Sequence, residues 1–386
     1  MATGAKNGTP TDARFDESAT PPVAAQRPSR KVTHGRVLDD PYAWLAADNW
    51  RDVLRDPATL PKDIAALVKA ENAYCASVVA PLRATTSHAP DHAQLAWSVD
   101  DAGSELYSIR TRALSDGVDR PDIVHETDGA IVWSADSRAF YYVRVDENHR
   151  TAQVFRHEIG DDPANDRLIV EEPDGAWFVA ISESRCSRFA IVSIRGHDAS
   201  ECWLIDLRDA ATPPRLVAPR EAGLRYDVEP HGDQLYILNN ADGADDFRIS
   251  IAPLNAPHRV HWRDVVAYRQ GAMIVAMTVY ARFLVWLVRE NSLPRIVVRD
   301  LASNNEHSIA FDEEAYALEL EPGLEFDTTT LRFSYSSMTT PEETWDYDMA
   351  ARTRILRKRQ EIPSGHDPKD YVTRRLYAPA PDGESV

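Results

Sequence analysis

From about Ala89 onward, apolar and polar positions alternate with a period near two, in runs of five to seven residues broken by polar turns. The clearest run is Trp133-Ser134-Ala135-Asp136-Ser137-Arg138 followed by Ala139-Phe140-Tyr141-Tyr142-Val143, which reads as strand, turn, strand. The pattern recurs. Strands after such turns begin near Gln94, Ala139, Phe189, Gln234, Arg282 and Leu331, at spacings of 45, 50, 45, 48 and 49 residues. About four short strands repeated every 40–50 residues is the signature of β-propeller blades.

In the best-defined repeat the strands fall at 131–133, 139–143, 153–159 and 167–171, with the turn-forming run Gly160–Asp166 before the last. Later repeats predict pairs at 201–206 with 215–218, 247–251 with 259–262, 295–300 with 307–311, and 343–349 with 353–359. Middle strands are rich in Val, Ile, Leu, Phe and Tyr because a blade is covered on both faces. Leu356-Arg357-Lys358-Arg359-Gln360 carries the charges of an outer edge that discourages pairing with another chain.

Ahead of the repeats the period is helical. Asp39-Asp40-Pro41-Tyr42-Ala43-Trp44-Leu45 predicts an acidic cap with proline at the first helical position, as the first ordered segment. A longer helix is expected after Pro61, with Ile64, Leu67, Val68, Tyr74, Val78 and Leu82 near one face, closed by Pro81 and the polar run Thr85–His88. The organisation expected is a disordered tail over 1–30, a helical segment over 31–84, a β-propeller over 85–361 and an exit segment over 362–386.

Composition narrows the function. The formal net charge of −18 disfavours nucleic acid as a partner and suits basic ligands. No run reaches the length of a membrane helix, and the tail lacks the apolar stretch of a secretory signal, so a cytoplasmic protein without a membrane partner is expected. Cys75, Cys186 and Cys202 are too few and scattered for a disulfide framework or zinc site.

The 386 residues contain no Gly-x-Ser-x-Gly, no phosphate loop, no His-Glu-x-x-His and no Cys-x-x-Cys. His258 and His261 are spaced as a metal pair, but three residues apart on a strand they point to opposite faces. His157-Glu158, His125-Glu126 and His34 read as structural histidines, and Asn7-Gly8-Thr9 matches a glycosylation sequon in the tail. No catalytic residue, metal ligand or cofactor site is assigned, and substrate-binding residues are not identifiable at this stage.

Asp39–Leu45 and Ala70-Glu71-Asn72-Ala73-Tyr74 resemble the entry helices of the prolyl oligopeptidase family of serine peptidases, in particular its oligopeptidase B branch. Trp133–Ser137 with Tyr141–Arg144 resembles a blade of that family's propeller. So does Ser334-Tyr335-Ser336-Ser337-Met338-Thr339-Thr340-Pro341 with Asp346-Tyr347-Asp348, the most diagnostic stretch. Gln360–Pro363, Asp367-Pro368, Tyr371 and Arg374–Ala378 resemble the exit from the propeller, with Asp382-Gly383 as the hairpin turn that opens the hydrolase domain.

The resemblance implies a seven-bladed propeller that admits short peptides to an α/β-hydrolase domain cleaving after Arg or Lys. The triad of that domain has no counterpart here, so the chain alone is expected to be inactive and a separate hydrolase half is a candidate partner. The resemblance also implies a further blade where residues 83–89 close the gap, leaving five full blades and a partial one at 89–127 and putting ring closure in question. The alternatives are a free-standing peptide- or protein-binding propeller and a decayed fragment.

Overall fold

The structure is a computed structural model that describes residues 20–79, 85–100, 103–363 and 365–383. Residues 1–19 of the expected tail 1–30, with Asn7, and the proposed helix terminator Pro81 lie outside the described residues, while Arg27 of that tail bonds to Pro41 and Asp63. The chain divides into two compact units, Met1–Thr85 and Thr86–Val386.

Among the described residues, the first unit does not open with a helix. It opens with a hairpin of β1 (Arg30–Thr33) and β2 (Arg36–Asp39), turned by His34 and Gly35 at φ 52° and 76°. Two consecutive left-handed residues give a turn whose twist matches the strands. The Asp40-Pro41 signal does act locally, since Asp40 accepts the Tyr42 amide at 2.9 Å, but only a short 3-10 turn follows at Ala43–Leu45. Helix α1 is Trp50–Arg55, and the expected long helix is α2, Lys62–Val79. Arg27 stacks on Trp44 at 3.8 Å and pairs with Asp63 at 2.7 Å.

The second unit is a β-propeller of six four-stranded groups. The first blade is β3 (Thr85–His88), β4 (Gln94–Val99), β5 (Tyr107–Ala113) and β6 (Val124–Thr127). The second is β7 (Val132–Trp133), β8 (Ala139–Val145), β9 (Thr151–Glu158) and β10 (Arg167–Glu171). A Thr127–Arg144 pairing between β6 and β8 joins these two into one eight-stranded sheet. The third blade is β11 (Phe178–Glu183), β12 (Phe189–Arg195), β13 (Ser200–Asp206) and β14 (Arg215–Leu216). The fourth is β15 (Tyr226–His231), β16 (Gln234–Asn239), β17 (Arg248–Pro253) and β18 (Arg263–Val266). The fifth is β19 (Ala272–Val279), β20 (Phe283–Glu290), β21 (Leu293–Asp300) and β22 (Glu306–Ser308). The sixth is β23 (Ala317–Glu321), β24 (Thr330–Ser336), β25 (Glu343–Asp348) and β26 (Thr353–Arg359).

Two expectations are corrected. Residues 85–88 are not a polar closure of the helix. They form the innermost strand of the first blade, which is therefore complete. Arg259–His261 is a 3-10 turn, and the fourth strand of that blade is Arg263–Val266. Both errors have one cause. Short polar edge strands carry no hydrophobic alternation and are defined only by the backbone they pair with.

Apolar side chains fill the spaces between consecutive blades. Phe140 and Tyr142 of the second blade pack on Ala96 and Ile109 of the first. Val179 and Ile181 of the third pack on Val143 and Val154. Further clusters join the third to the fourth, the fourth to the fifth and the fifth to the sixth. Among the described residues, no such buried cluster joins the sixth blade to the first. The outer strand β26 is exposed along its length, and its Arg357 and Arg359 pair with Asp346 and Glu343 of β25. The basic run is thus largely neutralised within its own sheet. Among the described residues, no helix is long and apolar enough to cross a membrane.

Candidate functional site: the central channel

The innermost strand of each blade borders the central channel, and its side chains that pack on neither neighbour face that space. On β11, Val179 and Ile181 are buried, while the alternate residues Phe178, Ala180 and Ser182 are exposed. On β15, Tyr226 and Val228 are buried, while Asp227, Glu229 and His231 alternate with them on the channel side. The period of two thus sorts one set of residues into the core and the other into the channel.

The channel side is acidic in its fourth-blade wall. Asp227 pairs with Arg195, which reaches it from the third blade. Glu229 accepts the backbone amide of Arg185 at 2.8 Å. Burial pushes the Glu229 carboxyl up to about 7 against the lowering effect of that amide and the Arg185 charge. Asp227 is likewise raised by burial, with Arg195 opposing. Burial disfavours their charged forms, and each already faces an arginine of the third blade, Arg195 and Arg185.

At one end of the innermost strands, turns of several blades touch one another. The turns joining first and second strands span two to five residues in the first five blades, but residues 322–329 in the sixth. Arg185, on the β11–β12 turn, donates to the carbonyls of Gly323 at 2.7 Å, Pro322 at 3.1 Å and Glu325 at 2.6 Å. Its guanidinium lies 4.5 Å from the Tyr280 ring centre, and the Tyr280 hydroxyl donates to Pro322 at 3.0 Å. The Ala281 amide donates to Phe326 at 3.0 Å, and His231 donates from Nε2 to Ala281 at 3.1 Å.

The histidines singled out in the sequence sit elsewhere. His157 is fully buried, with Nδ1 2.7 Å from Asp166 and Nε2 3.0 Å from Asp122. Burial alone would lower its pKa, but the two carboxylates outweigh that and raise it, favouring the charged ring. Asp122 lies before β6 of the first blade, so this triple ties the first blade to the second. Glu158, its sequence neighbour, diverges and pairs with Arg156. His125 is exposed with Nδ1 2.9 Å from Ser108 Oγ, and His34 is in the β1–β2 turn. His258 precedes a 3-10 turn and His261 ends it, so the strand assumed for them is absent.

The diagnostic Ser337–Thr340 stretch has a structural task. Glu313 accepts from the hydroxyls of Tyr335, Thr340, Thr339 and Thr373 at 2.8, 2.6, 2.9 and 3.2 Å. Burial pushes this carboxyl up, but the hydroxyl donors of Ser337, Thr340, Tyr335 and Thr339 outweigh it and hold it at about 2. Neighbouring Glu314 takes Arg374 at 2.6 Å and the Arg375 amide at 3.1 Å, so the exit segment is stitched to the sixth blade. Sequence reasoning did not find Arg185, Glu229 or the 322–329 turn. The available signal was the unusual length of that turn and the arginine in a Ser-x-x-Ser turn.

Among the described residues, six four-stranded blades with an exit segment stitched to the last of them define the chain as a β-propeller protein. The family model described as "Prolyl oligopeptidase, N-terminal beta-propeller domain" matches residues 82–360, and the chain belongs to the prolyl oligopeptidase family. Among relatives, dipeptidyl aminopeptidase BI of Pseudoxanthomonas mexicana is 28% identical, covering 98% of this chain and 63% of its own length. Protease 2 of Moraxella lacunata is 29% identical over 77% of this chain and 42% of its own length. The structure of oligopeptidase B from Leishmania major shares the fold with a TM-score of 0.71 at 23% identity, over 95% of this chain and 64% of that one. The chain thus spans less than two thirds of the length of these relatives. The alignment with dipeptidyl aminopeptidase BI runs over 468 positions against 386 residues here, so that relative carries segments this chain lacks.

Proposed function

We propose that this chain is the substrate-gating propeller of an oligopeptidase B-like serine endopeptidase that cleaves short peptides after Arg or Lys. The reaction is carried out by an α/β-hydrolase part supplied by other residues, whether on a separate polypeptide or not. The propeller's task is to admit short cationic peptides and exclude folded chains. The setting proposed is the cytoplasm, with no cofactor and with neither nucleic acid nor membrane as partner.

The observation that carries this reading is the family match over residues 82–360, with Asp227 and Glu229 on the channel side of the fourth blade as the acidic groups a cationic peptide would meet. They are joined by a net charge of −18, which draws cationic peptides at long range. The family match supports the gating role.

The test uses the purified chain with a fluorogenic Arg-containing peptide. No product is expected from the chain alone, and cleavage after basic residues is expected when a matching hydrolase part is added. Inhibitor-sensitive turnover by the chain alone, or equal binding of acidic and basic peptides of one length, would overturn the reading.

A further inference from the structure

The third and sixth blades are separated along the chain by two others, yet a side chain of one is bonded to the turn of the other. Arg185 and Gly323 are 138 residues apart in sequence, and their hydrogen bond is 2.7 Å. The turns that follow the innermost strands of the third and fifth blades, and the end of the fourth blade's innermost strand, all meet residues 322–326. We propose that residues 322–329 are a stopper across this mouth of the channel, latched by Arg185, so that peptides reach the channel only from the opposite mouth.

The turns themselves show that Arg185 is not there to make its own turn. The β7–β8 and β11–β12 turns share one design. Ser134 Oγ accepts the Ala139 amide at 3.1 Å, and Ser184 Oγ accepts the Phe189 amide at 3.0 Å. Ser137 and Ser187 both take left-handed backbone, at φ 60° and 52°. The residue after the first serine is Ala135 in one turn and Arg185 in the other. Alanine suffices for the turn, so the arginine answers to something outside it.

What it answers to is the stopper. A planar guanidinium offers several donors in a fixed fork, and here Nη1 and Nη2 donate to three carbonyls of the 322–325 backbone. The third, fourth and fifth blades supply the fastenings. The third gives Arg185, and the His231 ring of the fourth lies tilted against Phe326 at 5.7 Å between ring centres. The fifth binds Pro322 and Phe326 through Tyr280 and Ala281. Glu229 fixes the base of the latch by accepting the Arg185 amide. Leu324, at the tip, is 98% exposed, so the stopper is held by its backbone and not by burying an apolar plug.

This inference concerns the route of access. It rests on the gating reading only for its biological consequence, since the stopper is read from contacts within the propeller. Phe178 and Ser182 stand on the same channel-facing side of β11, Ser182 toward the Arg185 turn and Phe178 about 13 Å away toward the other mouth.

The test places Phe178→Cys or Ser182→Cys in a Cys75→Ser, Cys186→Ser, Cys202→Ala background of the full chain. Each is labelled with N-ethylmaleimide and with a bulky polymer-linked maleimide. Both sites are expected to take the small reagent, while the bulky one labels Ser182→Cys roughly tenfold more slowly than Phe178→Cys, a gap closed by Arg185→Met and narrowed by Arg185→Lys. Equal bulky-reagent rates at the two sites in the latched chain would overturn the proposal, and that comparison needs no latch variant to fold. A persistent gap after residues 322–327 are replaced by a short glycine-containing turn would overturn it as well. Failure of the chain to bind basic peptides would count against the gating reading while leaving the labelling result intact.

Discussion

Thr340 Oγ1 donates to Glu313 at 2.6 Å, and through this carboxylate the exit segment is tied to the sixth blade. The Glu313 carboxyl is held at about 2 against an ordinary 4.5. A depressed folded pKa contributes stability that is present above the unfolded value and lost as pH falls. Thermal unfolding is therefore expected to drop in midpoint between about pH 4.5 and 2 in the parent chain. Glu313→Gln should show a lower midpoint at pH 7 and a flatter profile across that window. Identical profiles for the two proteins would remove Glu313 from the account.

His157 holds two carboxylates at the junction of the first and second blades. Removing one member of a buried charged set leaves the others uncompensated, at a cost of about 3–5 kcal/mol. His157→Ala is expected to lose that much in urea unfolding. The pKa of His157 is raised above its ordinary 6.5, so its contribution is complete below 6.5 and declines as pH rises through the higher folded value. His157→Gln should abolish that alkaline decline.

Glu229 behaves in the opposite sense from Glu313. Its folded pKa is raised from 4.5 to about 7, so folding favours the protonated form. Stability is present below 4.5 and lost as pH rises through 7. Glu229→Gln is expected to raise the midpoint at pH 8 by a few degrees, about 1 kcal/mol, and to change little at pH 4. Calorimetry at the two pH values decides it, and destabilisation at pH 8 would contradict the assignment.

Tyr226 replaces a piece of backbone pairing. Its hydroxyl accepts the Cys202 amide at 2.9 Å and the Ala218 amide at 3.2 Å, and donates to the Ala218 carbonyl at 2.6 Å. Tyr226→Phe leaves these buried groups unpaired and is expected to cost about 2 kcal/mol or more. The readout is the urea midpoint.

Cys202 is buried in the same cluster and burial pushes its thiol up to about 12. The thiol is expected to resist alkylation in the folded chain and to react in step with loss of the third blade's circular dichroism signal in denaturant. Rapid reaction in the native state would show that this blade opens locally.

The sequence by itself determined the blades. Strands such as β8 and β12 are defined by runs of apolar residues that must be covered on both faces, and that demand is visible in the residues themselves. It also determined α2, whose apolar positions repeat at helical spacing. The innermost strand β3 and the strand β18 were not visible in advance, because polar edge residues adopt whichever conformation their neighbour's open backbone offers.

Only the tertiary structure decided what the channel contains. Nothing local marks Glu229 as a carboxyl shifted to about 7, since the shift comes from burial among residues far apart in the chain. Nothing local connects Arg185 with residues 322–325, because the fold brings turns of the third and sixth blades together. Periodicity records what each strand needs from a neighbour. Which neighbour meets that need is set by closing the chain on itself, and the chemistry of the channel depends on that second choice.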